Sequence, residues 1–349
     1  MQSLDTIQPK PERIFGMDFA RCICTIIIVL FHYACHTASE HKLFFQLPSG
    51  NYGSLAVTIF FVLSGASLFH NYPDVSSIKV FWFKRWKSIF PMFYLCFLFY
   101  FLQNVFQTHM LFYGPSPLTL VLTLLGVDGY FYYRIPNYCE VGEWFLGAII
   151  FLYLLYPFMI KIMKKSRFLI PFILTAGYFA VLCLNVFTID SFRNLITCAA
   201  SFYIGILFMK HRKLFFENTI FISISSVIAV VLLFVPVQIL HTFKISEQVH
   251  GIFAFLLLVS VGERIKTFKV STLVKRFSKI SFPVFLFQHK VIVNVLGVYN
   301  PLDVAGELLM ITVAFFLIII FSKVLAVVND ALIKSKFFVS LEQRITHDA

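Results

Sequence analysis

The stretch "RCICTIIIVLFHYACH", residues 21–36, decides the fold. Together with residues 14–20 it makes one long apolar run, and about 20 such residues cross the hydrocarbon core of a bilayer. The run exceeds the roughly 7–15 residues of a signal-peptide core and carries no small-x-small cleavage site, so it reads as a retained first helix. Yet it holds an arginine and two histidines. A charge at mid-helix costs about 2.5–3.5 kcal/mol on insertion scales, and such groups usually face a bundle interior or a water-filled cavity. Eleven residues at 100° each come within about 20° of three full turns, so Arg21 and His32 share a face roughly 16 Å apart along the axis. His36 at i+4 and Asp18 at i−3 extend that face in both directions.

The rest of the chain agrees with a membrane setting. Its 349 residues are 59% hydrophobic and 18% aromatic, with only 13% charged and a mean hydropathy of +0.84. Soluble domains carry about a quarter charged residues. The net charge of +12 reads as basic cytoplasmic loops and not as a nucleic-acid footprint. Seven cysteines lie mostly inside apolar runs, with no zinc-ligand spacing on a polar loop, so neither a metal nor a disulfide frame is expected.

Apolar runs between charged or turn-rich breaks predict ten helices, at 14–36, 54–70, 88–107, 143–161, 168–187, 192–209, 218–240, 246–262, 280–299 and 304–328. The short apolar segment 115–127, preceded by "GPSP", reads as an interfacial or re-entrant piece of an outer loop. Alternate loops carry 22 of the 29 Lys and Arg residues. The opposite loops hold only Lys42, Arg134, Arg193 and Lys244. Such a bias puts both termini on the cytoplasmic side. The expected fold is all-α, a polytopic transmembrane bundle of about ten helices. A cytoplasmic segment (1–13), a membrane domain (14–328) and a cytoplasmic tail (329–349) divide the chain, and no soluble catalytic domain is expected at either end.

Polar and small residues recur at specific places along these helices. "VTIFFVLSG" (57–65) ends in Ser64 and Gly65, suited to close helix packing. "FWFKRWKSIFPMFY" (81–94) places Lys84, Arg85 and Lys87 at the cytoplasmic mouth of the third helix, either as ordinary positive-inside residues or as phosphate ligands. "GEWFLGAIIFLYLLYP" (142–157) starts the fourth helix with Glu143 and Trp144 at the outer interface, and "ISFPVFLFQHKVI" (280–292) puts Gln288, His289 and Lys290 near the midplane of the ninth.

Taken together, these motifs resemble the acyltransferase 3 family of integral membrane acyltransferases, known from bacteria. The landmarks are Arg21 and His32 ten residues apart in between, "FFVLSG", "KRWKSIFPMFY", "WFL" with "LYLLYP", and "SFPVFLFQH", in order from about residue 13 to 292. The chain departs from the pattern at Ser88, where a second arginine is frequent, and at Ile149, where many members have a glutamate. The resemblance implies O-acyl transfer, usually of acetyl, from cytoplasmic acetyl-CoA or another acyl-CoA to a hydroxyl of a cell-surface glycan or lipid-linked saccharide. It implies no metal, a multi-pass protein of the bacterial cytoplasmic membrane, and polysaccharide modification at the cell envelope. It also points to His32 and Arg21 as the catalytic motif and to Arg85 for the donor.

Beside it, the residues support His32 as a general base and the cluster Lys84, Arg85 and Lys87 as ligands of the coenzyme's phosphates. Glu143, Trp144, His289 and His36 are expected on the acceptor's side. The expected partners are acyl-CoA, the saccharide acceptor and membrane lipids, without nucleic acid; a homo-oligomer is left open. The alternatives are a secondary transporter or glycan flippase, against which no paired interrupted helices stand in matching halves, and a non-enzymatic partner of a glycan-synthesis complex.

Overall fold

The computed structural model describes residues 11–48, 50–112, 116–139, 141–184, 187–238 and 243–347. The first ten residues of the N-terminal segment lie outside the described residues. So do Pro115 of the expected re-entrant piece, the ends of the expected helices 168–187 and 218–240, the side chain of Lys244, and 348–349 of the tail.

The chain is a polytopic helical bundle. Its elements are α1 (Phe15–His36), a two-residue hairpin β1 (Gln46–Leu47) and β2 (Gly50–Asn51), α2 (Tyr52–Asn71), α3 (Ile78–Thr108), α4 (Pro117–Leu124) and α5 (Asp128–Phe131). After them come α6 (Glu143–Lys165), α7 (Leu169–Cys183), α8 (Leu195–Lys210), one π-helical turn at Lys213–Glu217, α9 (Thr219–Phe234), α10 (Phe243–Arg264), α11 (Phe268–Val298), α12 (Val304–Ile333) and α13 (Lys336–His347). Seven of these are long and apolar enough to cross a membrane, and α7, α8 and α9 are shorter apolar helices. These ten correspond in order to the ten expected. Within the expected segment 115–127 the described residues hold the short α4, started by Ser116, which accepts from the Leu118 N–H, and by Pro117 at its first position.

Two boundaries differ from expectation. Helices α3 and α11 each have 31 residues, about 46 Å at 1.5 Å per residue, against roughly 30 Å of hydrocarbon. Each begins ten or more residues earlier than expected, because Ser77 and Thr267 cap the starts through Val80 N–H and Val270 N–H and nothing breaks the helix before the membrane. Their basic starts are therefore helix and not loop. The expected tail is helical as well. The α13 helix lies against the start of α3, where Phe338 stacks on Trp86 at 6.0 Å and Lys87 donates to Glu342 at 2.6 Å. On the α2–α3 connection, Asp74 accepts from Lys164 in the last turn of α6 at 2.6 Å, a bond that holds the Asp74 carboxyl below the usual range.

The centre of the bundle is α1, which packs against α2, α10 and α11. The tightest pairing is α2 with α8. A Cβ at Gly65 would strike the Phe202 carbonyl, and one at Gly205 would strike the Val62 carbonyl. Reciprocal glycines thus let the two backbones touch, as small residues do between membrane helices. This is the structural work of the glycine in "VLSG", while Ser64 beside it turns to a cavity.

Candidate active site

Near the C-terminal end of α1, at the first residue of α6 and in the C-terminal third of α11, three side chains meet. His32 Nε2 lies 3.3 Å from one Glu143 carboxylate oxygen, and His289 Nδ1 lies 3.5 Å from the other. The rings of His32 and His289 are 5.5 Å apart, and His36 stands edge-on to His289 at 4.6 Å. All three central side chains are about one-sixth exposed. They are thus shielded from bulk water yet open to a cavity of about 1080 Å³.

Local structure fixes the glutamate. Gly142 has φ +84° and Glu143 φ +45°, so two successive residues take the left-handed region as α6 begins. This conformation is uncommon for a residue with a Cβ and concentrates at functional sites. The turn of α5 presses on it from outside, since a Cβ at Gly129 would meet the backbone carbonyl of Glu143. Trp144 is packed by Phe61, Phe145 and Phe192, and the Arg193 guanidinium lies 5.4 Å from its ring centre. Trp144 therefore belongs to the cavity wall, although its position at a helix start also suits an interfacial anchor.

The cavity runs along α1 from His36 to Arg21. At its basic end Arg21 donates to Asp18 at 2.9 Å and to Ser278 Oγ at 3.1 Å. Arg13 also pairs with Asp18, whose carboxylate is 3% exposed. Arg21 and His32 share the face that their spacing predicts, but the arginine is held by this network, far from the imidazole. Ser64, Ser67, Ser88 and Tyr153 line the same end.

The basic cluster of α3 lies beside this passage and not in its lining. Arg85 donates to the Tyr72 hydroxyl at 3.1 Å, stacks over that ring at 5.0 Å and lines an adjoining, almost wholly apolar pocket of about 480 Å³. Tyr153 and Ile89 are shared by the two spaces. Lys87 is paired with Glu342 and Lys84 is exposed. Ser88, which departs from the family pattern, is thus the polar side chain of this stretch in the cavity lining, next to Ile89. His289 stands level with the C-terminal end of α1 and the first residue of α6, where it meets His36 and Glu143, and Gln288 beside it is fully buried. Ile149 also lines the cavity, without a carboxylate to offer.

Sequence reasoning did not mark Asn51, Asn137, Asp190, Arg193 or Glu247 as site residues, yet all line the cavity from loops or element starts. Lone polar residues on outer loops carry no periodic signal. His32, Glu143 and His289 each offer one donor atom within 4.8 Å of the others, a spacing that a transition-metal ion could also bridge.

Comparison with known proteins agrees with the helical architecture. No curated protein and no solved structure matches the chain. The acyltransferase-domain family model matches residues 14–327, from the first turn of α1 to the last turns of α12. The chain is therefore a membrane acyltransferase belonging to the acyltransferase 3 family.

Proposed function

We propose that the protein transfers an acyl group, acetyl in the first instance, from acyl-CoA on the basic side of the membrane to a hydroxyl of a glycan or lipid-linked saccharide on the other. One observation carries this reading: a single cavity joins Arg21 at the basic end to the His32, Glu143 and His289 cluster at the opposite end. Donor and acceptor can thus approach one reaction centre from two faces.

His32 acts as the base. Its Nε2 faces Glu143, so Nε2 carries the proton toward the carboxylate and Nδ1 keeps the lone pair. Nδ1 takes the proton of the acceptor hydroxyl as its oxygen attacks the thioester carbonyl. Collapse of the tetrahedral adduct breaks the C–S bond, and the departing sulfur takes that proton back from His32, so the coenzyme leaves as its thiol and the imidazole is neutral again. Such general-base assistance typically contributes 10²–10⁴-fold. Glu143, expected on the acceptor's side from its sequence position, serves instead to hold the imidazole and to balance the imidazolium. His289 holds Glu143 from the other side.

The donor enters between Arg21, Ser88 and Tyr153. Lys84 and Arg85 at the adjoining mouth offer charge to the coenzyme's phosphates. The setting is a bacterial cytoplasmic membrane, with a cell-envelope polysaccharide as the modified product. Purified protein given radiolabelled acetyl-CoA and surface glycan tests the reading. His32→Ala lowers transfer at least 100-fold, and transfer at the wild-type rate would exclude His32 as the base.

A further inference from the structure

The outer mouth of the cavity is built from side chains that the transfer step itself does not use. Resting on the acyl-transfer reading above, we propose that Asn51, Glu247, Asn137 and Arg193, set around Trp144, form the acceptor subsite, and that it takes a neutral saccharide unit with neighbouring hydroxyls.

The site is preorganised from four separate elements. The two-residue hairpin presents Gly50 and Asn51 to α10. There Asn51 Nδ2 donates to Glu247 at 3.0 Å and to Ser54 Oγ at 2.9 Å, and Asn51 Oδ1 accepts from the Ser54 N–H at 2.7 Å. Gly50, at φ +146°, leaves its Cβ position to the Glu247 side chain, which crosses that space. One carboxylate oxygen of Glu247 is thereby fixed, and the group is held at the cavity wall. On the α7–α8 connection, Asp190 accepts from the Phe192 N–H at 2.8 Å and its carbonyl accepts from the Arg193 N–H at 3.0 Å. That turn aims the Arg193 guanidinium at the Trp144 ring, 5.4 Å away. From the loop after α5 comes Asn137, whose Oδ1 is buried in the cavity wall without a hydrogen-bond partner.

The chemistry selects the ligand. The Glu247 carboxylate, the Asn137 amide and the Arg193 guanidinium are planar groups with paired donor or acceptor sites, which match two hydroxyls on adjacent carbons, while Asn51, both of whose amide hydrogens are taken by Glu247 and Ser54, positions the carboxylate. The indole adds an apolar face beside them for the C–H side of a sugar ring. Charge argues against an acidic acceptor, because Glu247 and Asp190 stand beside one arginine at this mouth, while Glu143 is paired with His32 and His289. An added carboxylate or phosphate would meet like charge. The assignment also explains why Trp144 directly follows Glu143: the residue that holds the base and the platform for the acceptor ring are one step apart on α6.

The test uses the full-length protein in detergent, with acetyl-CoA as donor and methyl β-glucopyranoside or methyl β-glucuronide as acceptor, the products read by mass spectrometry. Wild type acetylates the neutral glycoside and uses the uronide at least tenfold less well. Glu247→Gln and Arg193→Ala raise the glycoside KM at least tenfold and leave the acetyl-CoA KM within twofold, and Arg193→Lys restores part of the loss. Binding of the glycoside, followed by saturation-transfer NMR, is lost in Arg193→Ala even if turnover falls below detection. The proposal is overturned if the variants lose kcat with an unchanged glycoside KM, if they bind the glycoside as wild type does, or if the uronide is preferred. Wild-type consumption of acetyl-CoA without acetylation of the neutral glycoside overturns it too. Absence of any wild-type acetyl-CoA consumption would instead sink the acyl-transfer reading on which it rests.

Discussion

At the scale of single residues, the arrangement hangs on Glu143. Its carboxylate bridges two imidazoles, and its backbone sits at φ +45° behind a glycine at +84°. Glu143→Gln keeps the shape but removes the charge that steadies an imidazolium, so kcat for acetyl transfer should fall about 10–100-fold with little change in the acetyl-CoA KM, read by steady-state kinetics. Gly142→Ala forces a Cβ into the left-handed region, at about 1–2 kcal/mol, and should lower activity by moving the start of α6. The same cluster makes a metal-dependent alternative testable. If the imidazole does the proton transfer, overnight dialysis against a strong chelator leaves the rate unchanged; loss of activity restored by added zinc would replace the base with a bound ion. His32 was legible from its place in a membrane helix. The pairing with Glu143 was not, since 111 positions separate them and no local pattern links a helix end to a helix start.

Among the elements, helix-to-helix contacts decide what each motif does. The α2–α8 contact depends on Gly65 and Gly205 facing each other's backbones. Gly205→Leu overfills it, so the detergent-solubilised protein should lose roughly 1–3 kcal/mol or more of stability, measured as a lower midpoint of thermal unfolding. The α13 helix braces α3 through Phe338 and Glu342. Because Glu342 already neutralises Lys87, Lys87→Ala should change the acetyl-CoA KM less than Arg85→Ala, which should raise it several-fold. Equal effects would show that both cations serve the donor. The sequence placed all three basic residues at the mouth but could not rank them. Their ranking follows from α13, an amphipathic tail whose docking surface on α3 exists only after both helices form.

For the whole molecule, the cavity is the decisive feature, because one lining runs along α1 from Arg21 to His32 and His36. Ser88→Cys, in a background with Cys35 and Cys183 replaced by serine, should react with a membrane-impermeant thiol reagent from the basic side only and be protected by acetyl-CoA. Labelling from the opposite side would contradict the proposed donor route. The sequence by itself determined the membrane character, the ten apolar helices, the basic face and the shared face of Arg21 and His32. These rest on composition, hydrophobic run length and the 3.6-residue helical period, all local quantities written along the chain. Only the tertiary structure decided that Glu143 and His289 join His32, that Lys87 is tied up by the tail, and that residues from the hairpin, α10 and two connections line the same end of the cavity. Those facts depend on which helix packs beside which, and the many apolar side chains that drive that packing are too alike in sequence to specify neighbours.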